Sequence, residues 1–298
     1  MQDSRDVLNI DGINPSILSS LNSVISRKLD KAGIFSRVFF RIKSQSSTSK
    51  KLKTGKYNNG KKIQDIIGGR IVLYFIDDVS ICRKLIEQLF TIVDVSEDIP
   101  TADEFKPTRL NFVCKIPNEF MPMISNILWD LPIDSTFEIQ IRTIFSEGWH
   151  EVEHDLRFKC KLDWENNLDL SRNLNGILAT LETCDWAIMN IFADMSHRKY
   201  KQGLWEPMLR SKFRIRFKDH CISDNVLSVV RDDATFWKNI FRIDREDFIT
   251  KIAASNFPTL PMTFDNIICC ANEIYGFNDA LSLITPPLIK EKVIPLRT

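Results

Sequence analysis

Three stretches in the first half of the chain alternate between apolar and polar residues, and helical stripes separate them. From Val38 to Lys43, Val38, Phe40 and Ile42 fall on one face and Arg41 and Lys43 on the other, the period of a half-buried strand. Leu110 to Ile116 repeats the pattern, with Leu110, Phe112, Cys114 and Ile116 opposite Arg109, Asn111 and Lys115. Phe137 to Thr143 does so again, setting Glu138, Gln140 and Arg142 against Phe137, Ile139 and Ile141. Ile71 to Ile76 is apolar almost throughout and reads as a buried strand, and a short strand is expected near Val93.

Between them the period lengthens to that of a helix. Asn14-Pro15 opens one whose stripe is Ile17, Leu18, Leu21, Val24, Ile25 and Leu29, with Gly33 as its stop. Asp77 or Asp78 caps a second, whose inward face is Ile81, Leu85, Ile86, Leu89 and Phe90. Ser44 to Lys53 predicts a short helix, Tyr57 to Gly60 a turn, and Asn118 to Leu128 another helix. The fold class is therefore α/β, a mixed sheet of about five strands flanked by helices. From Ile144 onward the pattern is mainly helical, and Asp244 with Asp247 marks one helix start. The exception is Lys212 to Lys218, where cations and apolar residues alternate as in a basic-faced strand or arm. Two domains follow, 1–160 and a helical region 161–298 of unassigned role.

Composition narrows the class. A formal charge of +1 over 298 residues excludes a globally basic nucleic-acid binder, and 44% apolar content suffices for a large core. No apolar run reaches membrane-spanning length, and the first residues lack signal-peptide character. Seven cysteines without a repeating spacing do not form a disulfide framework. The expectation is a soluble, reduced, cytoplasmic protein. Between Arg198 and Lys218 eight cations face a single acid, Glu206, which makes either a solvated face or a patch for RNA.

The chemistry concentrates in two segments. Arg41, Lys43, Ser47 and Lys51 are spaced R-x-K-x-x-x-S-x-x-x-K, a run of cations suited to a polyphosphate. The strand bearing Glu138, with Asp65 between the segments, adds carboxylates. Together they point to metal-assisted phosphoryl transfer, which depends on positioning and charge neutralisation. His150 and His154 form an H-E-x-x-H spacing, but their flanking residues speak for something else.

That something else is a family. The cationic run, Asp65-Ile-Ile-Gly-Gly-Arg70-Ile, the EIQIRT of Glu138 to Thr143, and W-x-x-x-E-H-x-x-x-x-K from Trp149 to Lys159 resemble, in order, the RelA/SpoT synthetase domain. The likeness spans residues 35 to 160 and is nearest to the small single-function synthetases, including their toxin branch. It implies a nucleotidyltransferase-like fold and transfer of pyrophosphate from ATP to the 3′-hydroxyl of GDP or GTP, releasing AMP. Position by position, it implies that Arg41, Lys43, Lys51 and Ser47 hold ATP phosphates and that Arg70 faces the phosphates or adenine. Asp65 and Glu138 would hold Mg2+, with Glu138 also orienting or deprotonating the 3′-hydroxyl. Gln140, Arg142 and His154 would line the acceptor side. The chain departs from the family where a guanine-stacking tyrosine is expected. Lys106 to Phe112 holds none, and Arg109 and Asn111 stand there as groups able to stack on a base and pair with it. Two alternatives stay open: the 3′ end of tRNA as acceptor, and a nucleotide-binding protein without turnover.

Overall fold

The computed structural model describes residues 13–45, 48–49, 62–97, 109–125, 132–255 and 260–293. They divide into two compact units, one drawn from Met1–Ser26, Ser36–Leu73 and Ile86–Glu182, the other from Arg27–Phe35, Tyr74–Leu85 and Thr183–Thr298.

The first unit is built on a five-stranded mixed sheet: β1 (Ser36–Ile42), β2 (Ile67–Leu73), β3 (Ile92–Glu97), β4 (Leu110–Lys115) and β5 (Thr136–Thr143). The order across it is β1-β2-β5-β4-β3. Only β2 and β5 run parallel; the other neighbours are antiparallel. Helix α1 (Ser16–Lys31) begins where Asn14 Oδ1 accepts from the Ser16 amide at 3.0 Å, and it buries Ile17, Leu21 and Ile25. The strands bury the faces that their alternation predicts, Phe112 and Cys114 on β4 and Phe137, Ile139 and Ile141 on β5. Phe137 is the hub, tilted against Phe40 at 6.2 Å and edge-on to Phe90 at 5.1 Å.

Strand β2 starts earlier than its apolar run because Gly68 and Gly69 belong to it and carry no hydropathy signal. Packing favours glycine at position 69. Opposite it across the ladder lies Phe40, and a Cβ at Gly69 would sit 2.5 Å from that ring. The ring has somewhere to go, since Phe40 borders a cavity of about 300 Å³ lined also by Leu18, Ser19, Asn22 and Ser23. Gly69→Ala is therefore expected to cost about 1–2 kcal/mol rather than to prevent folding, read as a shift of the urea midpoint. The helix expected over 118–128 is a 3-10 turn, Asn118–Met123, because Pro122 inside it cannot donate an α-helical hydrogen bond. Residues 126–128 lie outside the described residues.

Helix α2 (Asp78–Leu89) contributes its first turns to the second unit, and α3 (Ile144–Glu153) follows β5 directly in the first. After a single π-turn, His154–Phe158, come α4 (Lys161–Trp164) and the long α5 (Leu168–Lys201). The rest of the second unit is α6 (Trp205–Phe213), α7 (Asp224–Val230), α8 (Ala234–Arg242), α9 (Arg245–Ala254), α10 (Phe264–Tyr275), α11 (Asp279–Ile284) and α12 (Pro287–Val293). Short polar side chains start five of these helices: Ser223, Asp233, Asp244, Thr263 and Asn278 each accept from the amide three residues on. Their core packs Trp237 on Trp205 at 4.4 Å and Phe213 against Phe248 at 5.0 Å.

Three expectations in this unit need correction. Lys212 to Lys218 is neither strand nor arm, since α6 runs to Phe213 and irregular chain follows. Arg214, expected on a solvated basic face, is buried in a left-handed conformation at φ 45°, with its guanidinium on Asp77 and over the Phe75 ring. Its companion Arg216 lies over the Phe35 ring and reaches Asp30 at 3.4 Å. The helix expected to be capped by Asp77 or Asp78 does start at Asp78, but both carboxylates turn to arginines: Arg245 reaches Asp77 at 3.0 Å and Asp78 at 2.6 Å. Arg245 Nε also donates to the Phe213 carbonyl at 2.7 Å.

Candidate functional site

Everything in this site belongs to the first unit, and its floor is the polar face of β5. Period-two geometry stacks Glu138, Gln140 and Arg142 along one side of the strand. They touch in series: Gln140 Nε2 donates to Glu138 Oε1 at 3.3 Å, and Arg142 Nη2 donates to Gln140 Oε1 at 3.2 Å. Register extends this column sideways. Arg41, Gly68 and Glu138 lie in one rung across β1, β2 and β5, while Arg70, Gln140 and Asn111 share another across β2, β5 and β4. Between Arg41 and Glu138 the Gly68 position has open space, so the rung carries a cation and a carboxylate with a gap between them.

Beside that rung, Lys43 Nζ meets Asp65 Oδ2 at 2.6 Å. Asp65 is anchored through its neighbour, because Thr136 Oγ1 donates to the Gln64 carbonyl at 3.0 Å two residues before Glu138. Ser47 and Lys51 lie outside the described residues.

The other end of the face is a cluster of guanidiniums. Arg142 is only 2% exposed, and burial draws its pKa down to about 10, with Arg70 and Arg109 adding to the pull and Glu147 opposing it. Burial would lower Arg70 as well, but Glu147 and Glu151 outweigh it and hold that guanidinium above its ordinary value. Glu147 Oε1 meets Arg70 Nη1 at 2.5 Å and Glu147 Oε2 stands 3.6 Å from Arg142 Nε, while Glu151 also pairs with Arg70. Both acids come from α3, whose first turn is fixed where Thr143 Oγ1 accepts from the Ser146 amide at 3.2 Å. Arg142 Nη1, Asn111 Oδ1 and His150 Nδ1 are buried without a hydrogen-bond partner, so the cluster keeps unused donors and acceptors.

His150 and His154 stack at 5.5 Å, and His154 stacks in turn on Phe158 at 5.8 Å and 11°. His154 Nδ1 lies 2.9 Å from Asp155. Burial and then Arg142, Arg109 and Arg70 push His150 down to about 3, so it is neutral near pH 7. An unfolded histidine takes up its proton near pH 6.5 while the folded one does not. Stability is therefore lost as pH falls from about 6.5 towards 3. His150→Gln is expected to flatten that acid-side decline in thermal melts recorded at pH 4 to 7.

Glu147, Glu151 and His150 were not among the residues expected here. The Glu-x-x-x-Glu spacing just after the β5 segment was their one local signal, since it sets both acids on one helical face.

Residues 40–163 match the family model described as "Region found in RelA / SpoT proteins". Over 99 residues the chain is 30% identical to the GTP pyrophosphokinase YjbM of Bacillus subtilis (strain 168), covering 33% of this chain and 43% of that protein. The matched stretch is thus less than half the length of that relative. Among solved structures, small alarmone synthetase 1 from Bacillus subtilis is similar at 20% identity and TM-score 0.45, covering 62% of this chain and 92% of that one. For small alarmone synthetase 2 from the same organism the figures are 24%, 0.46, 60% and 92%.

Proposed function

From the RelA/SpoT region that this chain carries over residues 40–163, we infer an ATP-dependent pyrophosphokinase that forms a (p)ppGpp-type alarmone and AMP from GDP or GTP. The observation that carries the reading is the rung of Arg41, Gly68 and Glu138, with Lys43 and Asp65 beside it. Cations on one side would grip the polyphosphate, a carboxylate on the other would receive a proton, and glycine leaves room between.

In the reaction, the acceptor 3′-oxygen attacks the β-phosphorus of ATP and the bond from that phosphorus to the α-phosphate bridging oxygen breaks, releasing AMP. Glu138 accepts the hydroxyl proton or orients it. Arg41, Lys43 and, from the segment outside the described residues, Ser47 and Lys51 hold the triphosphate in line. Arg70 steadies the transferred group, while Gln140, Arg142, Arg109, Asn111 and His154 receive the acceptor. Positioning and electrostatic stabilisation carry such chemistry, because the phosphoryl oxygens hold most of the charge.

Among the described residues no group of three or more His, Cys, Asp or Glu gathers around a metal position. Asp65 and Glu138 are the carboxylates that would hold Mg2+, a hard cation commonly bound by one or two carboxylates with substrate phosphates and water completing the shell. When bound there it would neutralise charge on the phosphates. Among the described residues no helix is long and apolar enough to cross a membrane.

The deciding experiment offers ATP labelled at its γ-phosphate, with Mg2+, to GDP, GTP, ADP, ATP and deacylated tRNA in parallel. Label on GDP or GTP with equimolar AMP is the expected result. Label on tRNA alone would move the acceptor assignment to the nucleic acid, a reading that no longer has Arg214 on a basic surface to draw on. ATP binding without transfer to any acceptor would leave a nucleotide-binding protein.

A further inference from the structure

We propose that Glu147 is the positioning residue of the guanidinium cluster, one carboxylate that aims both Arg70 and Arg142 and restrains their grip on polyphosphate. The proposal rests on the pyrophosphokinase reading for its substrate, but its geometry stands apart from that reading.

Arg70 projects from β2 and Arg142 from β5, two residues apart in register, so their like charges share one face. With Arg109 beside them, such a group would repel itself and relax outward unless something anionic sat within it. Glu147 does so, entering from the first turn of α3 with one oxygen for each arginine. Its side chain is 15% exposed, against 52% for Glu151, so it is the enclosed member of the acidic pair.

The pairing is incomplete on one side. Glu147 Oε2 and Arg142 Nε are both buried, 3.6 Å apart and without a hydrogen-bond partner, and Arg142 Nη1 is equally unsatisfied. Those Arg142 donors are closed to solvent, so an incoming phosphate oxygen meets the cluster first at Arg70, whose side chain is 20% exposed, while Glu147 ties Arg142 to it. Glu147 thus has two separable effects. Its geometry fixes where two guanidiniums stand when the transferred charge develops. Its charge offsets about one positive unit and weakens ground-state binding of anions. Weaker ground-state binding with correct aim favours turnover, because only interactions gained in the transition state raise kcat.

The test separates charge from aim. Glu147→Gln keeps the shape and removes the charge; Glu147→Asp keeps the charge and withdraws the oxygens from the arginines. Binding of inorganic tripolyphosphate is measured by calorimetry, and turnover by AMP release. Glu147→Gln is expected to bind tripolyphosphate about fivefold tighter, since a largely enclosed negative charge has been removed from among the arginines. Its kcat is expected to fall about tenfold with a lower KM, the reverse of the raised KM that simple loosening of the site gives. Glu147→Asp is expected to lose kcat without gaining affinity. Tripolyphosphate binding to Glu147→Gln that is unchanged or weaker overturns the proposal, and so does wild-type turnover in Glu147→Asp. If the wild-type chain turns over no acceptor at all, the pyrophosphokinase reading fails while the calorimetry still decides the role of Glu147.

Discussion

Glu138→Gln is expected to lower kcat by about a thousandfold, the scale of a lost general base aligned on its proton. The substitution is nearly isosteric, and an amide oxygen at this position can still accept from Gln140 as the Glu138 carboxylate does at 3.3 Å. The β5 column should therefore persist, and with it the positions of Arg142 and of Arg70 in the neighbouring rung. What disappears is a basic oxygen and one negative charge facing the gap beside Arg41. The signature is a collapse in AMP release at saturating ATP and acceptor, with ATP affinity and melting temperature near wild type. Activity within about tenfold of wild type would exclude Glu138 as the proton acceptor and turn attention to Asp65.

The largest expected effect on stability lies elsewhere, in Arg245→Ala. Asp78 is fully buried, and burial raises its pKa to about 6 even though Arg245 pulls it back down. Removing Arg245 leaves that buried carboxylate without its direct ion-pair partner, beside the like charge of Asp77 and with only Arg214 to offset it. Arg245 also satisfies Asp77 and the Phe213 carbonyl. Breaking a buried pair from one side typically costs about 3–5 kcal/mol. The loss carries its own pH dependence. Without Arg245 the folded-state pKa of Asp78 rises further above its unfolded value near 3.9, so folding must bind a proton that neutral solution scarcely supplies. The deficit relative to wild type should therefore grow from pH 5 to pH 8, read from urea midpoints at each pH. A deficit independent of pH would mean that packing, not the orphaned carboxylate, dominates. In Asp78→Asn/Arg245→Ala much of the loss should return, because the charge that needed a partner has been removed.

How much of this was readable from the residues in order depends on the range over which each pattern acts. The stripe of α1 and the alternation of β1, β4 and β5 are local, and the sheet face bearing Glu138, Gln140 and Arg142 follows from period two alone. The start of β2 was hidden because two glycines erase the hydropathy signal, although one of them exists to accommodate Phe40. Lys212 to Lys218 misled for a different reason. Its cation and apolar alternation is real, yet Arg214 turns inward to an aspartate 137 residues away, which no window around it contains. Glu147 and Glu151 were missed likewise, because their partner Arg70 lies 77 and 81 residues back.

The interleaved chain path has a practical bearing on how this protein is dissected. The second unit takes Arg27–Phe35 and Tyr74–Leu85 from the same half of the chain that supplies the sheet. A gene fragment ending after residue 182 would carry every strand of the sheet, yet it would also carry those two stretches without the helices they belong to. Asp77 and Asp78 would arrive in it stripped of both Arg214 and Arg245. Linear truncation is thus a poor way to ask what the sheet does alone; point substitutions in the intact chain keep each carboxylate with its arginine.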